Sequence, residues 1–272
     1  MTVRAEIILD SINPKGERIT TFELEYHRYI HAEFMTHRDF SRNAASSRAI
    51  PIMKAIKLVW RNMAIPTHWG KKQAGMQADV ELGSIRSFWA KAVWVATGYF
   101  VSVMTLLLKS IGVHKQVANR MLEPWTHIKV VMTTTKMENW NNLRMHKDAQ
   151  PEIRLLAEKM WKEMLNSTPV TLSWGQWHLP YVTTADKYLL SRSDQLKVSV
   201  TACAQVSYRV LDTSVEKSRR IFELLIKADV IHASPFEHVA RATKSGGSGN
   251  FTGTDWKQYR FYVEKSIEPP LD

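Results

Sequence analysis

The chain has few of the features that stabilise secreted proteins or anchor proteins in membranes. It contains one cysteine, Cys203, so an intrachain disulfide is excluded, which fits a reducing compartment. Its first residues lack the apolar core of a secretory signal, so we predict a cytoplasmic protein without such a segment. Several scattered histidines lack the spacing of metal ligands, and we predict no metal site: His114, His127, His178 and His232.

One apolar stretch is too short for an ordinary membrane span. Residues 92–108 carry no charge and are bracketed by Lys91 and Lys109, whereas a bilayer requires roughly twenty apolar residues. Apolar positions recur every three and four residues across this region. We therefore predict no membrane partner, and a long helix over residues 83–111 that is buried by the chain's own core or by another subunit.

The sequence is rich in apolar residues and in lysine and arginine. The sequence is 44% hydrophobic and contains ten tryptophans, which is enough apolar surface for a packed core. Lysine and arginine exceed aspartate and glutamate by 37 − 26 = 11, which favours anionic partners. Nucleotides, flavins, folates and nucleic acids are all anionic, so charge alone does not choose among them.

Strand patterns occur near both ends of the chain. Residues 6–9 and 20–26 are typical of strands on either side of a turn at residues 13–16. Residues 198–206 alternate between two sets of side chains, which predicts a half-buried strand. Cys203 lies in this run, and we expect its side chain to belong to the core.

Helix signals lie between these strands. A helix is predicted to start at Pro51, and a glycine-containing loop follows over residues 66–79. Another helix is predicted around Arg144. Pro151 is expected either to kink that helix or to occupy the first turn of a new helix capped near Asp148.

A basic segment follows the second predicted strand. Residues 36–48 (THRDFSRNAASSR) contain three arginines, a histidine, an asparagine and several hydroxyls. Arginine binds phosphate bidentately, hydroxyls add directional hydrogen bonds, and small residues let the backbone approach a ligand. We interpret the segment as an anion cradle. The alternative is a solvated basic turn between a strand and a helix.

Two blocks of sequence carry a family resemblance. His37-Arg38 is followed after seven residues by Ser46, and residues 139–153 contain an asparagine, then Arg144, then an Ala-Gln-x-Glu-Ile tail. This pattern resembles the flavin-dependent thymidylate synthases, whose first motif is Arg-His-Arg, seven residues, Ser. Thr36 replaces the first arginine of that motif, and Ala44 replaces an acidic residue.

A third block is similar to the segment that opens a typical family member. It comprises residues 198–207, a charged helix from Ser214, and residues 234–238. In the family this segment precedes the first motif, whereas here it follows both other blocks. The chain therefore resembles a circularly permuted member, which is possible where the termini lie close in space.

The resemblance implies a fold and a reaction. The fold would be α/β (α+β), one domain over residues 1–272 with a central, mostly antiparallel sheet flanked by long helices. The reaction would convert dUMP to dTMP, with methylenetetrahydrofolate as carbon donor, FAD as hydride source and NADPH as its reductant. The flavin-free thymidylate synthases need a cysteine nucleophile, and a buried Cys203 would not supply one. A homotetramer with shared active sites is also implied.

The resemblance assigns residues to this site. Arg144 would be catalytic, because it would contact the pyrimidine ring and favour its ionised form. Nucleotide-binding residues are implied at six positions: Glu33, Ser46, Ser47, Arg48, Arg120 (from a neighbouring subunit) and Arg144. FAD-binding residues are implied at seven positions: Thr36, His37, Arg38, Asn43, Asn139, Ser207 and His238.

Glu33 departs from the family, which usually has a glutamine here. A carboxylate near a phosphate would repel it, so Glu33 points elsewhere, pairs with Arg38 or Arg48, or faces a different nucleotide. A related flavin and folate enzyme acting on another pyrimidine nucleotide, or leaving a hydroxymethyl group, is therefore an alternative. Another is a basic nucleic-acid-binding module without catalysis, although most tryptophans fall on apolar helical stripes typical of a core.

Overall fold

The hairpin expected at the start of the chain is present in the computed structural model, which describes residues 3–207, 211–227 and 230–271. Strands β1 (Arg4–Ile12) and β2 (Arg18–His27) pair antiparallel. In the turn between them, Asn13 Oδ1 accepts hydrogen bonds from the backbone N–H groups of Lys15 and Glu17, both at 3.0 Å. Gly16 has a φ of 86°, a conformation that favours glycine.

The hairpin forms the middle of a five-stranded sheet. The other strands are β3 (Ser41–Ala44), β4 (His127–Thr134) and β5 (Val170–Thr171), in the order β3-β4-β2-β1-β5. Every pairing is antiparallel except β1 with β5. The expected α/β fold with a central, mostly antiparallel sheet is confirmed.

Ten helices and a second, antiparallel sheet complete the described part of the chain. The helices are α1 (His31–Phe34), α2 (Ile52–Arg61), α3 (Ser84–Ser110), α4 (Lys115–Ala118), α5 (Glu138–Arg144), α6 (Pro151–Asn166), α7 (Thr184–Leu189), α8 (Arg192–Ala204), α9 (Val215–Ile226) and α10 (Tyr259–Glu264). The second sheet has the order β6 (Trp177–His178), β7 (Ala240–Ala242), β8 (Trp256–Gln258). The helices predicted around Arg144 and from Ser214 are confirmed as α5 and α9.

Helix α6 packs its apolar face on the main sheet. Ile153, Leu156 and Met160 are fully buried in the cluster that also contains the inward side chains of β2 and β4. Pro151 occupies the first turn, as one of the two alternatives predicted. The cap, which was expected near Asp148, is Gln150, whose side chain accepts a hydrogen bond from the N–H of Ile153.

The strand predicted over residues 198–206 is wrong, because this stretch lies mainly in the second half of α8. The helix starts where the side chain of Ser191 accepts a hydrogen bond from the N–H of Asp194. Both alternating sets of side chains are buried, so the period of two does not mark one face of a sheet. The hydroxyl of Ser199 is satisfied by donating to a backbone carbonyl at 2.7 Å. The prediction that Cys203 belongs to the core is confirmed.

Helix α3 is present where it was predicted, but the chain's own core does not cover it. Its buried residues are Gly98, Ser102 and Thr105, and a Cβ at Gly98 would lie 2.7 Å from Trp125, so the helix approaches its neighbours through small side chains. Many large apolar side chains of α3 face outward, including Phe88 at 65% exposure, whereas Trp94 and Leu108 are half-buried. Among the described helices, α3 alone is long and apolar enough to cross a membrane, judged by length and composition.

A chain of buried hydrogen bonds joins the two sheets. The ring of His178 lies 2.9 Å from Ser11 Oγ and 2.8 Å from Thr21 Oγ1. Thr21 continues to Thr133 at 2.7 Å, and Thr133 to Nδ1 of His238 at 2.9 Å. The link connects β1, β2 and β4 to β6 and to the segment before β7. The assignment of residues 1–272 to one domain stays a prediction.

Candidate functional site

The basic segment over residues 36–48 folds as a tight loop followed by β3. Nη1 of Arg42 closes the loop by donating to the carbonyl oxygens of Met35 at 3.0 Å and His37 at 2.9 Å. Arg42 therefore has a structural role, which the composition of the segment did not distinguish from ligand binding. The loop presents the side chains of Thr36 and His37 toward α5.

Arg144, at the end of α5, is held by this loop. Its Nε donates to Nε2 of His37 at 2.8 Å, and its Nη2 donates to Oγ1 of Thr36 at 3.4 Å. Its Nη1 lies 3.6 Å from Oε2 of Glu33. Of the three alternatives for Glu33, a pairing with Arg38 or Arg48 is wrong, because the partner of Glu33 is Arg144.

His37 is a neutral acceptor in this arrangement. Burial, together with the positive charges of Arg144 and Arg42, lowers the pKa of His37 to about 4. Since Nε2 accepts from Arg144, the ring proton lies on Nδ1. The ring is packed edge-to-face against Trp140, with centroids 4.7 Å apart, which fixes its orientation. The guanidinium of Arg144 is therefore preorganised.

Glu33 and Arg144 line a groove of about 1170 Å³. Tyr29 and Trp94 contribute aromatic surface to it, and Glu152 contributes a buried carboxylate. Burial raises the pKa of Tyr29, and the charge of Glu152 adds to this shift. The groove is large enough for a nucleotide together with a second ring system.

A hairpin, here called the flap (residues 68–82), forms one wall of the groove. The backbone N–H of Lys71 donates to Val80 at 2.6 Å, and that of Leu82 donates to Trp69 at 2.8 Å. Its tip contacts the opposite wall through Gln77, whose side-chain amide donates to the carbonyl oxygen of Asp148 at 3.2 Å. The loop predicted over residues 66–79 thus has internal order.

Close packing at Gly70 is expected to hold the flap together. A Cβ at Gly70 would lie 2.3 Å from Cβ of Ala78, so Gly70→Ala is expected to open the hairpin. Amide hydrogen exchange at Lys71 and Leu82 should become at least about tenfold faster. The double variant Gly70→Ala, Ala78→Gly should recover part of the protection, and unchanged exchange in Gly70→Ala would show that the contact does not stabilise the flap.

Two of the phosphate-binding candidates, Ser47 and Arg120, form a second cluster around Glu123. Oε1 of Glu123 accepts hydrogen bonds from Ser47 Oγ at 2.7 Å and Arg120 Nη1 at 3.0 Å. Ser46 Oγ accepts from the backbone N–H of Arg48 at 3.3 Å. The Glu123 cluster borders a pocket of about 230 Å³ that does not include Glu33 or Arg144. An anion bound here would take the place of the Glu123 carboxylate as the acceptor of these hydrogen bonds. In the sequence, Glu123 is marked only by its position three residues after Arg120.

Comparison with known protein families shows which family the chain belongs to. The model of a family described as thymidylate synthase complementing protein matches residues 18–170. The chain belongs to this family. The match includes the basic segment, Arg144 and the Glu123 cluster, and it confirms the resemblance found in the sequence. The third block, residues 198–207 and 234–238, follows the matched range.

Solved structures with a similar fold are also known. A UMP/dUMP methylase PolB from Streptomyces cacaoi, bound with 5-Br dUMP, is 15% identical with a TM-score of 0.48, over 60% of this chain and 90% of that chain. The same protein bound with 5-Br UMP is 16% identical with a TM-score of 0.48, over 60% and 89%. No curated protein matches the chain.

The residues that the family resemblance implies for FAD differ in their exposure and in their partners. The side chains of Arg38 and Asn139 are exposed. Nδ2 of Asn43 donates to the carbonyl oxygen of Cys203 at 3.2 Å. His238 is buried, and its Nε2 has no partner among the described residues. The side chain of Ser207, also implied for FAD, lies outside the described part.

The described residues contain no group of three or more His, Cys, Asp or Glu side chains placed to hold a metal ion. The buried histidines have other partners or neighbours instead. His178 and His238 belong to the hydrogen-bonded chain between the sheets, and His27 packs with its ring centroid 5.0 Å from that of His127.

Proposed function

We propose that the protein methylates C5 of a pyrimidine deoxynucleotide, with dUMP as substrate and methylenetetrahydrofolate as carbon donor. The observation that carries this proposal is the guanidinium of Arg144, fixed by His37 and Thr36 at the wall of a groove of nucleotide size. Membership of the thymidylate synthase complementing family supports the same chemistry.

Arg144 would act on the pyrimidine by electrostatics. Methylation requires C5 to be electron-rich, and loss of the N3 proton places negative charge on the ring. A fixed guanidinium against the ring edge stabilises that charge without reorganising during the reaction. Thr36 and His37 would act as positioning residues, because they hold Nη2 and Nε of Arg144.

The proposed hydride source is FAD, with NADPH as its reductant. A reduced flavin supplies the hydride that converts a transferred methylene group to methyl. The exposed groups of Arg38 and Asn139 and the unpartnered Nε2 of His238 fit a cofactor with phosphates and a polar ring. Asn43 fits less well, since its amide already donates to Cys203.

The single thiol is expected to be dispensable for catalysis. Cys203 is fully buried, and burial raises its pKa, so the thiolate needed for nucleophilic attack is disfavoured. Cys203→Ala and Cys203→Ser are therefore expected to retain dUMP turnover within about threefold. Circular dichroism identifies variants that fold. A folded variant without activity would contradict a mechanism that needs no cysteine nucleophile.

We further propose a homotetramer in which subunits share active sites. In one chain Arg120 belongs to the Glu123 cluster and Arg144 to the groove, so two partly complete sites are present. The exposed apolar side chains of α3 offer the surface that a second copy would bury.

Mixed oligomers test this arrangement. Arg120→Ala chains and Arg144→Ala chains should each have little activity alone, and refolding them together should restore part of the activity. Recovery is expected because some sites in the mixture would combine an intact Arg144 with an intact Arg120 from a neighbouring chain. Confirmed mixed oligomers without recovery would argue against shared sites.

The proposed function is tested most simply by absorbance. The purified protein should show flavin bands, or acquire them with added FAD, and dUMP should shift them. A protein that binds neither FAD nor dUMP would contradict the proposal. Nucleic-acid binding would then account for the net charge.

A further inference from the structure

Glu33 gives the groove a hydrogen-bond acceptor beside the donors of Arg144. The two side chains are 44% and 21% exposed, and both line the groove. Their separation of 3.6 Å makes them an ion pair, but it exceeds the range of a good hydrogen bond. Each group therefore keeps hydrogen-bonding capacity for a ligand.

The contacts of Arg144 determine which of its edges is available. Its Nε and Nη2 make the hydrogen bonds to His37 and Thr36, so that side of the guanidinium is occupied. The edge formed by Nη1 and Nη2 keeps free N–H groups, and Glu33 lies beside Nη1. Thr36 Oγ1 also donates to the backbone carbonyl of Glu33 at 2.7 Å, which ties the two residues together. The order along this surface is acceptor, donor, donor.

This order is complementary to the Watson–Crick edge of cytosine. Cytosine presents an amino donor, then the N3 acceptor, then the O2 acceptor, and a carboxylate is a recognised partner for its amino group. Uracil presents a carbonyl oxygen where cytosine has the amino group, and that oxygen would face the Glu33 carboxylate. Uracil could still form two of the three hydrogen bonds if the ring moved by one position along this surface. Its N3–H would then donate to Glu33, and one carbonyl oxygen would accept from Nη1 of Arg144.

We propose that Glu33 and Arg144 recognise a cytosine nucleotide, so that the groove accepts dCMP in addition to dUMP. The inference rests on the proposed function only in placing a pyrimidine nucleotide in the groove. Glu33 is a specificity-determining residue, because its carboxylate accepts the amino group that distinguishes cytosine from uracil.

The test compares dissociation constants for dCMP and dUMP by isothermal titration calorimetry on the full chain. The wild-type protein should bind dCMP at least as tightly as dUMP. In Glu33→Gln the side-chain amide can also donate to the uracil carbonyl. The ratio of the two dissociation constants should therefore change by about tenfold in favour of dUMP. Glu33→Asp keeps the charge at a shorter reach and should lie between the two.

Glu158→Gln is the matched control. Glu158 also lines the groove, but its ion pair is with Arg154 at 2.8 Å. This variant changes the charge of the groove equally and should leave the ratio of the two dissociation constants unchanged. Binding of dUMP without dCMP, or an unchanged ratio in Glu33→Gln, would overturn this inference and leave the proposed function standing. Binding of neither nucleotide would overturn both.

Discussion

Replacing Arg144 with alanine is expected to lower dUMP turnover by about 100-fold to 1000-fold, the loss typical of removing one preorganised donor from a charged transition state. The arginine is fixed by two hydrogen bonds before any substrate binds, so its full electrostatic effect is available during the reaction. Folding should be preserved, because the side chain lies at the groove wall and outside the apolar core. Steady-state kinetics and thermal unfolding of the same preparation measure both quantities.

Arg154→Ala is the control for this variant. Arg154 lines the same groove, but it pairs with Glu158 on the exposed side of α6. Its removal changes the groove charge equally and should alter turnover by less than about threefold. His37→Gln should lower kcat more than it raises KM, because it loosens Arg144 without removing it. Unchanged turnover in Arg144→Ala would refute the role assigned to this residue.

Acidification is expected to destabilise the protein strongly below pH 6.5. Burial lowers the pKa of His178 and of His238 to about 3. The unfolded chain, with histidine pKa values near about 6.5, binds protons that the folded chain does not. The stability contributed by these histidines is therefore fully present above pH 6.5 and is lost as the pH falls toward 3. For each histidine, the free energy of unfolding should fall by about 1.4 kcal/mol per pH unit. Urea unfolding at pH 7, 6 and 5 measures this slope.

Two substitutions separate the contribution of the buried histidines from general acid effects. His238→Asn keeps a hydrogen-bonding group for Thr133 and should reduce the slope by about 1.4 kcal/mol per pH unit. His232 is exposed, so His232→Asn should leave the slope unchanged. Equal slopes in the wild type and His238→Asn would mean that His238 does not stay neutral in the folded protein.

Local sequence signals predicted the hairpin and several of the described helices. The turn at residues 13–16, the uncharged run in α3 and the proline at the start of α6 each determine their element through nearby residues. The strand prediction for residues 198–206 was wrong, because alternation of small side chains also fits a helix that is buried on all sides. Burial of that helix depends on the neighbouring segments, which the period of the run does not show.

The motifs located the site, but its pairings come from long-range contacts. Arg144 reaches Thr36 and His37 across more than a hundred residues of sequence. The pairing of Glu33 with Arg144 follows from the packing of α5 against the loop after α1, which no local pattern encodes. Likewise, Glu123 carries no motif, although it accepts hydrogen bonds from two of the phosphate-binding candidates.

Transfer of a labelled carbon tests the central proposal most directly. The protein would be incubated with dUMP, FAD, NADPH and methylenetetrahydrofolate labelled at its methylene carbon. The nucleotide products would then be separated, and their masses would be measured by mass spectrometry. We expect the label in a methyl group at C5 of the product, and Arg144→Ala should slow its appearance by about 100-fold or more. A wild-type protein that binds flavin and dUMP but leaves the nucleotide unlabelled would contradict the account.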